Sequence, residues 1–298
     1  MPIALTNDNY YGKQANIDYM SVSQFKDFAG TTAHTSCEAT AYRKFIGQYE
    51  EAPNKAMLIG SYVDAYFEGT LDQFRDQNMD LLFTKTSIKK FAEGKGSLEL
   101  YADFAKAENI IERISRDPVF MSYISGMPQV IMTAPLFGAE WKIKMDFYFA
   151  GDKIVDLKIM KDMKPIWAPE IGRKVDFIHY WGYDIQAAVY QKVVEIVTGQ
   201  KLPFYIACAT KEDITDYNLI EITQPHMDNA LKFVEENLPR VLALKAGTIE
   251  PVACGTCPAC RMTKKLTGPV TVDSIMPVDY RNDMAEEEPV GEPVDLWG

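Results

Sequence analysis

The sequence lacks any apolar run of the roughly eighteen residues that a membrane span needs. Its opening, MPIALTNDNYYGK, lacks the basic-then-apolar pattern of a secretory leader. Both absences predict a soluble, intracellular protein. No internal repeat is visible, which argues against a stacked-repeat architecture. Cysteine is scarce, at five in 298 residues, too few for a disulfide scaffold. An excess of positive charge is also missing. The net charge is −11, the wrong sign for a chain that binds nucleic acid over its whole surface.

The charge is unevenly placed. Residues 282–298 hold six acids (Asp283, Glu286, Glu287, Glu288, Glu292, Asp295) and no base, so the rest of the chain stands at −5. Residues 142–174 hold eight bases against five acids. A basic surface around a few clustered acids is therefore open to the central part of the chain. The hydrophobic fraction, 47%, and the length suit one large globular domain or one with elaborations.

The most informative stretch is residues 141–158, WKIKMDFYFAGDKIVDLK. In its first half Lys142, Lys144, Asp146 and Tyr148 alternate with Ile143, Met145, Phe147 and Phe149, the period of a half-buried strand. Ala150-Gly151-Asp152 reads as a turn. The second half carries β-branched Ile154-Val155 and ends Asp156-Leu157-Lys158. As a hairpin this brings Asp146, Asp156 and Lys158 near one another, with Asp156 and Lys158 on one strand face. Two carboxylates beside a lysine suit a divalent cation next to a water or a phosphate.

Helices are expected at residues 20–28, capped by Ser21 or Ser23, and from Cys37 through Phe45. Residues 56–67 read as a strongly apolar helix. On it Gly60, Asp64 and Glu68 recur every four residues and share a face. Asp64 lies among Ile59, Tyr62, Val63, Tyr66 and Phe67, where an unpaired carboxylate is costly; it needs a partner or a metal, unless it is simply exposed. Gly60 inside a helix suggests close approach by another backbone or a ligand. Residues 1–20 show no clear period, and 71–96 form a charged, variable region. Residues 98–115 read as an amphipathic helix and 129–137 as a strand. An irregular basic stretch after Lys158 reads as a flap. A single long helix is expected over 176–198, with Gln186 and Tyr190 one turn apart. Strands follow at 204–209 and 217–222, then a helix over 225–246.

Cys208 lies in an apolar strand and reads as packing. Cys254, Cys257 and Cys260 recur every third residue, which in an intracellular protein argues for a metal. Cys37 is the remaining thiol outside a strand and the candidate fourth ligand. Four thiolates suit an iron–sulfur cluster or a closed zinc site.

Taken together, KMD…VDLK resembles the Asp…(Asp/Glu)-x-Lys signature of the PD-(D/E)xK nucleases. It is similar to the exonuclease branch of RecB-type nuclease domains and phage RecE-type enzymes, with Met145 where the family name has proline. Gly60-x-x-x-Asp64-x-x-x-Glu68 resembles that branch's G-x-x-x-H-x-x-x-E, with Asp64 in place of histidine. Gln186-x-x-x-Tyr190, in the run Tyr183-Asp184-x-Gln186-Ala187-Ala188, is similar to RecE-type sequences. One remote cysteine plus a C-terminal triplet resembles the iron–sulfur staple of AddB-type and CRISPR-associated RecB-like nucleases.

The resemblance, over about residues 20–262, implies an α/β fold: a restriction-endonuclease-like core with a central mixed sheet flanked by helices, its N- and C-terminal segments joined by a metal cluster. It implies one nuclease domain over 1–268 with its core at about 54–246. Residues 269–298 read as a flexible acidic tail. The implied activity is a metal-dependent exodeoxyribonuclease that resects duplex DNA ends, its product going to a single-strand annealing protein, in the cytoplasm of a bacterium or a phage-infected host. Asp64, Asp146 and Asp156 would hold magnesium or manganese with help from the Leu157 carbonyl. Lys158, Gln186 and Tyr190 would act on the water or the phosphate. Cys37, Cys254, Cys257 and Cys260 would hold a [4Fe-4S] cluster, or else structural zinc. The alternatives are a CRISPR-adaptation or repair-type nuclease of different polarity or endonuclease action, and a DNA-binding module that has lost cutting.

Overall fold

The computed structural model describes residues 2–51 and 54–274. The acidic run expected as a tail lies beyond the described residues from 275 onward. Among the described residues no helix is long and apolar enough to cross a membrane.

The helices up to residue 123 are α1 (Lys13–Asp18), α2 (Val22–Ala29), α3 (Glu38–Phe45), α4 (Lys55–Glu68), α5 (Leu71–Gln77), α6 (Met79–Leu82), α7 (Lys85–Ala92), α8 (Ala102–Ser115) and α9 (Pro118–Tyr123). The strands β1 (Met127–Leu136), β2 (Ala139–Phe149) and β3 (Lys153–Met160) follow, then a small hairpin of β4 (Ile166–Ala168) and β5 (Arg173–Val175). The chain continues as α10 (Phe177–Trp181), α11 (Tyr183–Thr198), β6 (Phe204–Thr210), β7 (Tyr217–Ile222), α12 (Gln224–Lys245) and α13 (Pro258–Met262).

The five-stranded sheet has the order β1-β2-β3-β6-β7. Only β3 and β6 run parallel; the other neighbours are antiparallel. It is the mixed sheet expected, and helices cover both faces. On one face Phe25, Trp141, Ile143, Met145, Ile185, Val189, Ile206, Val234 and Leu238 form a core between the sheet and α2, α11 and α12. On the other, Ile59, Tyr62, Val63, Phe104, Ile110, Phe147, Val155, Leu157 and Ala207 pack against α4 and α8.

Several expectations change. Residues 176–198 form two helices, because Gly182 adopts φ +62 between them. A Cβ there would stand 2.8 Å from Lys26 Cδ and 2.9 Å from Thr31 Cγ2, so glycine is required for conformation and for space. The stretch read as an irregular flap contains the β4–β5 hairpin, with Trp167 opposite Lys174. The charged region at 71–96 holds three short helices, α5, α6 and α7. Residues 1–20 hold α1, and Met20 is bonded alongside β2. A Cβ at Gly60 would meet nothing closer than Ile159 Cβ at 4.0 Å, an ordinary contact, so no other backbone approaches closely there.

Candidate active site

The site lies at a fork in the sheet. β2 and β3 pair only beside their turn, from Phe149↔Lys153 to Phe147↔Val155. Beyond that point they part. The N–H of Leu157, which a continuous ladder would give to a β2 carbonyl, is donated to Asp146 Oδ2 at 3.0 Å. Further along, the edge of β2 is taken by Met20, whose N–H donates to the Glu140 carbonyl at 2.7 Å and whose carbonyl accepts from the Lys142 N–H at 2.9 Å.

The strict alternation read along β2 also breaks at Asp146. Trp141, Ile143 and Met145 face the α11 side, but Phe147 faces the α4 side. Across the ladder from Asp146 stands Gln129, a non-glycine residue at φ +54. Both Met145 and Phe147 keep their β1 partners, Val130 and Pro128. The side-chain phase therefore slips at this point while the register is kept. A period-2 reading had no means of finding this.

A cavity of about 660 Å³ opens at the fork. It is lined by Asp64, Asp146, Asp156, Leu157, Lys158, Gln186 and Tyr190, all seven of the residues the sequence suggested for the metal and the chemistry. Asp156 is buried. Gln186 Nε2 donates to its Oδ1 at 2.6 Å. Its Oδ2 is in ion-pair contact with Lys158 Nζ but receives no hydrogen bond of regular geometry. Tyr190 is buried, and its hydroxyl donates to the Lys144 carbonyl at 3.1 Å, tying α11 to β2. The phenol on which a contact with water or phosphate was expected is committed to the backbone.

The electrostatics follow from burial and crowding. Burial, then the neighbouring Asp156, pushes the Asp146 carboxyl well above the usual carboxylate range. Asp64 is pushed up to about 7, chiefly by burial; Lys158 opposes this and Glu68 adds to it. Burial acts to lower the Lys158 ammonium, but Asp156 and Asp146 outweigh it and raise the net value. Carboxylates crowded in this way around one lysine in one cavity fit a divalent cation. The three aspartates line one cavity without closing to within 4.8 Å of one another.

Sequence reasoning missed other residues at this cavity. Tyr10, Tyr11, Lys13, Lys26, Lys44, Lys142 and Lys144 also line it. Gln129 Nε2 donates to Glu68 Oε1 at 2.6 Å, beside Asp64 on α4. The aromatic pair and its adjacent base in the run Tyr10-Tyr11-Gly12-Lys13 were the available signal.

The four cysteines form a second group. Their sulfurs all lie within 4.8 Å of one another. Cys37 Sγ is 3.5 Å from Cys260 Sγ. The backbone N–H groups of Cys254, Cys257 and Cys260 donate to the sulfurs of Cys37, Cys254 and Cys257 at 3.3–3.4 Å. Glu38 strengthens the join, taking the Arg240 guanidinium at 2.6 and 2.8 Å and the Val252 N–H at 2.9 Å. Cys208 stays apart in the core, as expected, with its thiol donating to the Asn218 carbonyl at 3.4 Å.

Residues 21–263 match the model of a PDDEXK-like domain of unknown function (DUF3799). No curated protein sequence matches. Among solved structures, the chain is similar to the crystal structure of a putative exonuclease from Eubacterium rectale, with a TM-score of 0.84 and 47% identity. The similarity covers 92% of this chain and 98% of that one.

Proposed function

This chain belongs to the family of the PDDEXK-like domain of unknown function (DUF3799), and from that membership we propose that it is a metal-dependent exodeoxyribonuclease of the RecE-like kind, resecting duplex DNA ends. The observation that carries the reading is the fork between β2 and β3. There Asp146, Asp156 and Lys158 meet in one cavity, and Gln186, thirty residues on, is bonded to Asp156. The exonuclease description of the Eubacterium rectale protein, at 47% identity, supports the same activity.

Asp64, Asp146 and Asp156 would hold magnesium or manganese, whose chemistry in such a site is to acidify water and offset phosphate charge. Gln186 fixes Asp156 by its amide, and the Leu157 N–H fixes Asp146, so both carboxylates are preorganised. In extended backbone a residue's N–H and C=O lie on the same edge. The Leu157 carbonyl therefore faces the same gap and is available as a further oxygen ligand. Lys158, kept protonated by its two acid neighbours, would hold the attacking water and stabilise the negative charge that develops on the phosphate. Tyr190 braces α11 against β2.

The cysteines would hold a structural metal, since four thiolates leave no open position. Their spacing bears on its identity. A tetrahedral zinc ion with Zn–S of about 2.3 Å places its sulfurs about 3.8 Å apart. A [4Fe-4S] cubane seats each thiolate on a different iron, farther apart than 4.8 Å. The four sulfurs stand nearer the zinc spacing, so structural zinc, the alternative to the cluster that the resemblance implied, is the metal proposed here.

The test is degradation of end-labelled linear duplex with magnesium, beside a closed circular duplex. Loss of the linear substrate with the circle spared supports an exonuclease. Cutting of the circle supports an endonuclease, and binding without cutting supports an inactive module. A single-strand annealing protein would be the expected partner for the product strand.

A further inference from the structure

The segment before residue 21, which includes α1, falls outside the family match, yet its Tyr10, Tyr11, Lys13 and Asn16 line the catalytic cavity. Their attachment is costly. Lys142 is 1% exposed, and among the described residues its ammonium has only neutral acceptors: the Tyr10 carbonyl at 2.5 Å and Asn16 Oδ1 at 2.8 Å. Burial pushes its pKa down to about 8. A buried cation held by neutral acceptors carries a desolvation penalty that a carboxylate partner would offset in part. Lys245 adds to this anchorage, donating to the carbonyls of Asn16 and Tyr19 at 2.9 and 3.1 Å. Met20 is bonded to the edge of β2 that β3 vacates.

This scaffolding holds Tyr10 and Tyr11. Tyr10 is buried, with its ring 4.7 Å from Lys142 Nζ. Tyr11 rests edge-on against it, ring centroids 5.0 Å apart at 85°. The Tyr11 side chain nonetheless stands 72% exposed at the mouth of the cavity that contains Asp64, Asp146 and Lys158. The Lys144 ammonium lies 4.6 Å from the centre of its ring. Lys13, Lys26 and Lys44 line the same cavity. An exposed aromatic ring flanked by lysines is how proteins hold single-stranded nucleic acid, the ring stacking on a base and the cations tracking the phosphates.

We propose that Tyr11 is a base-stacking platform, and that the cavity therefore takes a strand whose terminal bases are unpaired when its phosphate enters the fork. This rests on the nuclease reading above and adds the state of the substrate to it. Tyr11 touches the base and not the scissile bond, so its substitution should weaken strand binding and leave the metal site intact.

The experiment uses the full-length chain carrying Lys158→Ala to block cutting. Its binding to a short single-stranded oligonucleotide with a terminal 2-aminopurine is followed by anisotropy and by fluorescence quenching. The parent should quench the base analogue. Tyr11→Ala should bind about tenfold more weakly and lose the quenching, within the range that one lost base–aromatic stack covers. Tyr11→Phe should keep both, because the hydroxyl has no part in stacking. An unchanged circular dichroism spectrum would show that the exposed substitution leaves the fold alone. If Tyr11→Ala binds and quenches like its parent, the platform is overturned, while cleavage of end-labelled duplex by the unmutated chain would leave the nuclease reading standing. If the parent binds no DNA and the unmutated chain cuts none, both readings fall.

Discussion

Gln186 on α11 donates its side-chain amide to Asp156 Oδ1 on β3 at 2.6 Å. That bond joins two motifs thirty residues apart in sequence and orients the most buried carboxylate of the cavity. Tyr190, one turn further on, is bonded to β2 through the Lys144 carbonyl. One helix thus braces both arms of the fork.

The Gln186 bond predicts a graded effect. Gln186→Ala should lower kcat by about tenfold to a hundredfold, in the range that loss of a group orienting a metal ligand produces. The melting temperature should change little, since only one hydrogen bond is lost. Single-turnover cleavage beside thermal unfolding checks this; a normal rate would remove Gln186 from the site.

Asp156→Ala and Lys158→Ala should each abolish cutting with the fold retained. Asp156 is the buried carboxylate of the cavity, and Lys158 is its ion-pair partner. Degradation of linear duplex at near the unmutated rate by either variant would show that the site lies elsewhere.

Asp64 gives a pH dependence with a definite sign. Its carboxyl titrates near 7 in the folded chain against 3.8 as the reference value. Between these values the folded state binds more protons than the unfolded one, so its contribution to stability falls as pH rises from about 4 to 7. A cation competes with that proton. The magnesium needed for half-maximal cleavage should rise as pH falls from 8 to 6, and magnesium should raise the melting temperature more at pH 8 than at pH 6. Asp64→Asn should flatten the second dependence. Asp64→Ala should lose metal-dependent activity, and Asp64→His should keep part of it. Full activity in the alanine variant would make Asp64 structural.

The cysteine group predicts a colourless protein with one zinc per chain by elemental analysis. Binding energy at such a site is folding energy. Cys37→Ser should therefore lose the metal and lower the melting temperature by several degrees, and Cys208→Ser should keep the metal. A brown protein with about four irons per chain would restore the cubane. Normal metal content in Cys37→Ser would separate α3 from the triplet.

The sequence by itself determined much of this protein. Periodicity located the strands and longer helices, because their apolar faces must be buried against one another. Chemistry of type and spacing picked out Asp146, Asp156 and Lys158 on a hairpin, Asp64 on a helix, and a cysteine triplet in need of a fourth thiol. Tertiary structure alone decided where the regular pattern stops. The fork between β2 and β3, the phase slip at Asp146 opposite Gln129 and the break at Gly182 depend on which backbone groups find partners. Local spacing carries no record of that. The structure also brought Tyr11, Lys26 and Lys144 to the cavity, because a buried lysine and a vacated strand edge draw the N-terminal segment across the sheet. Those contacts span more than a hundred residues, and no periodicity within a short window can show a partner so far away along the chain.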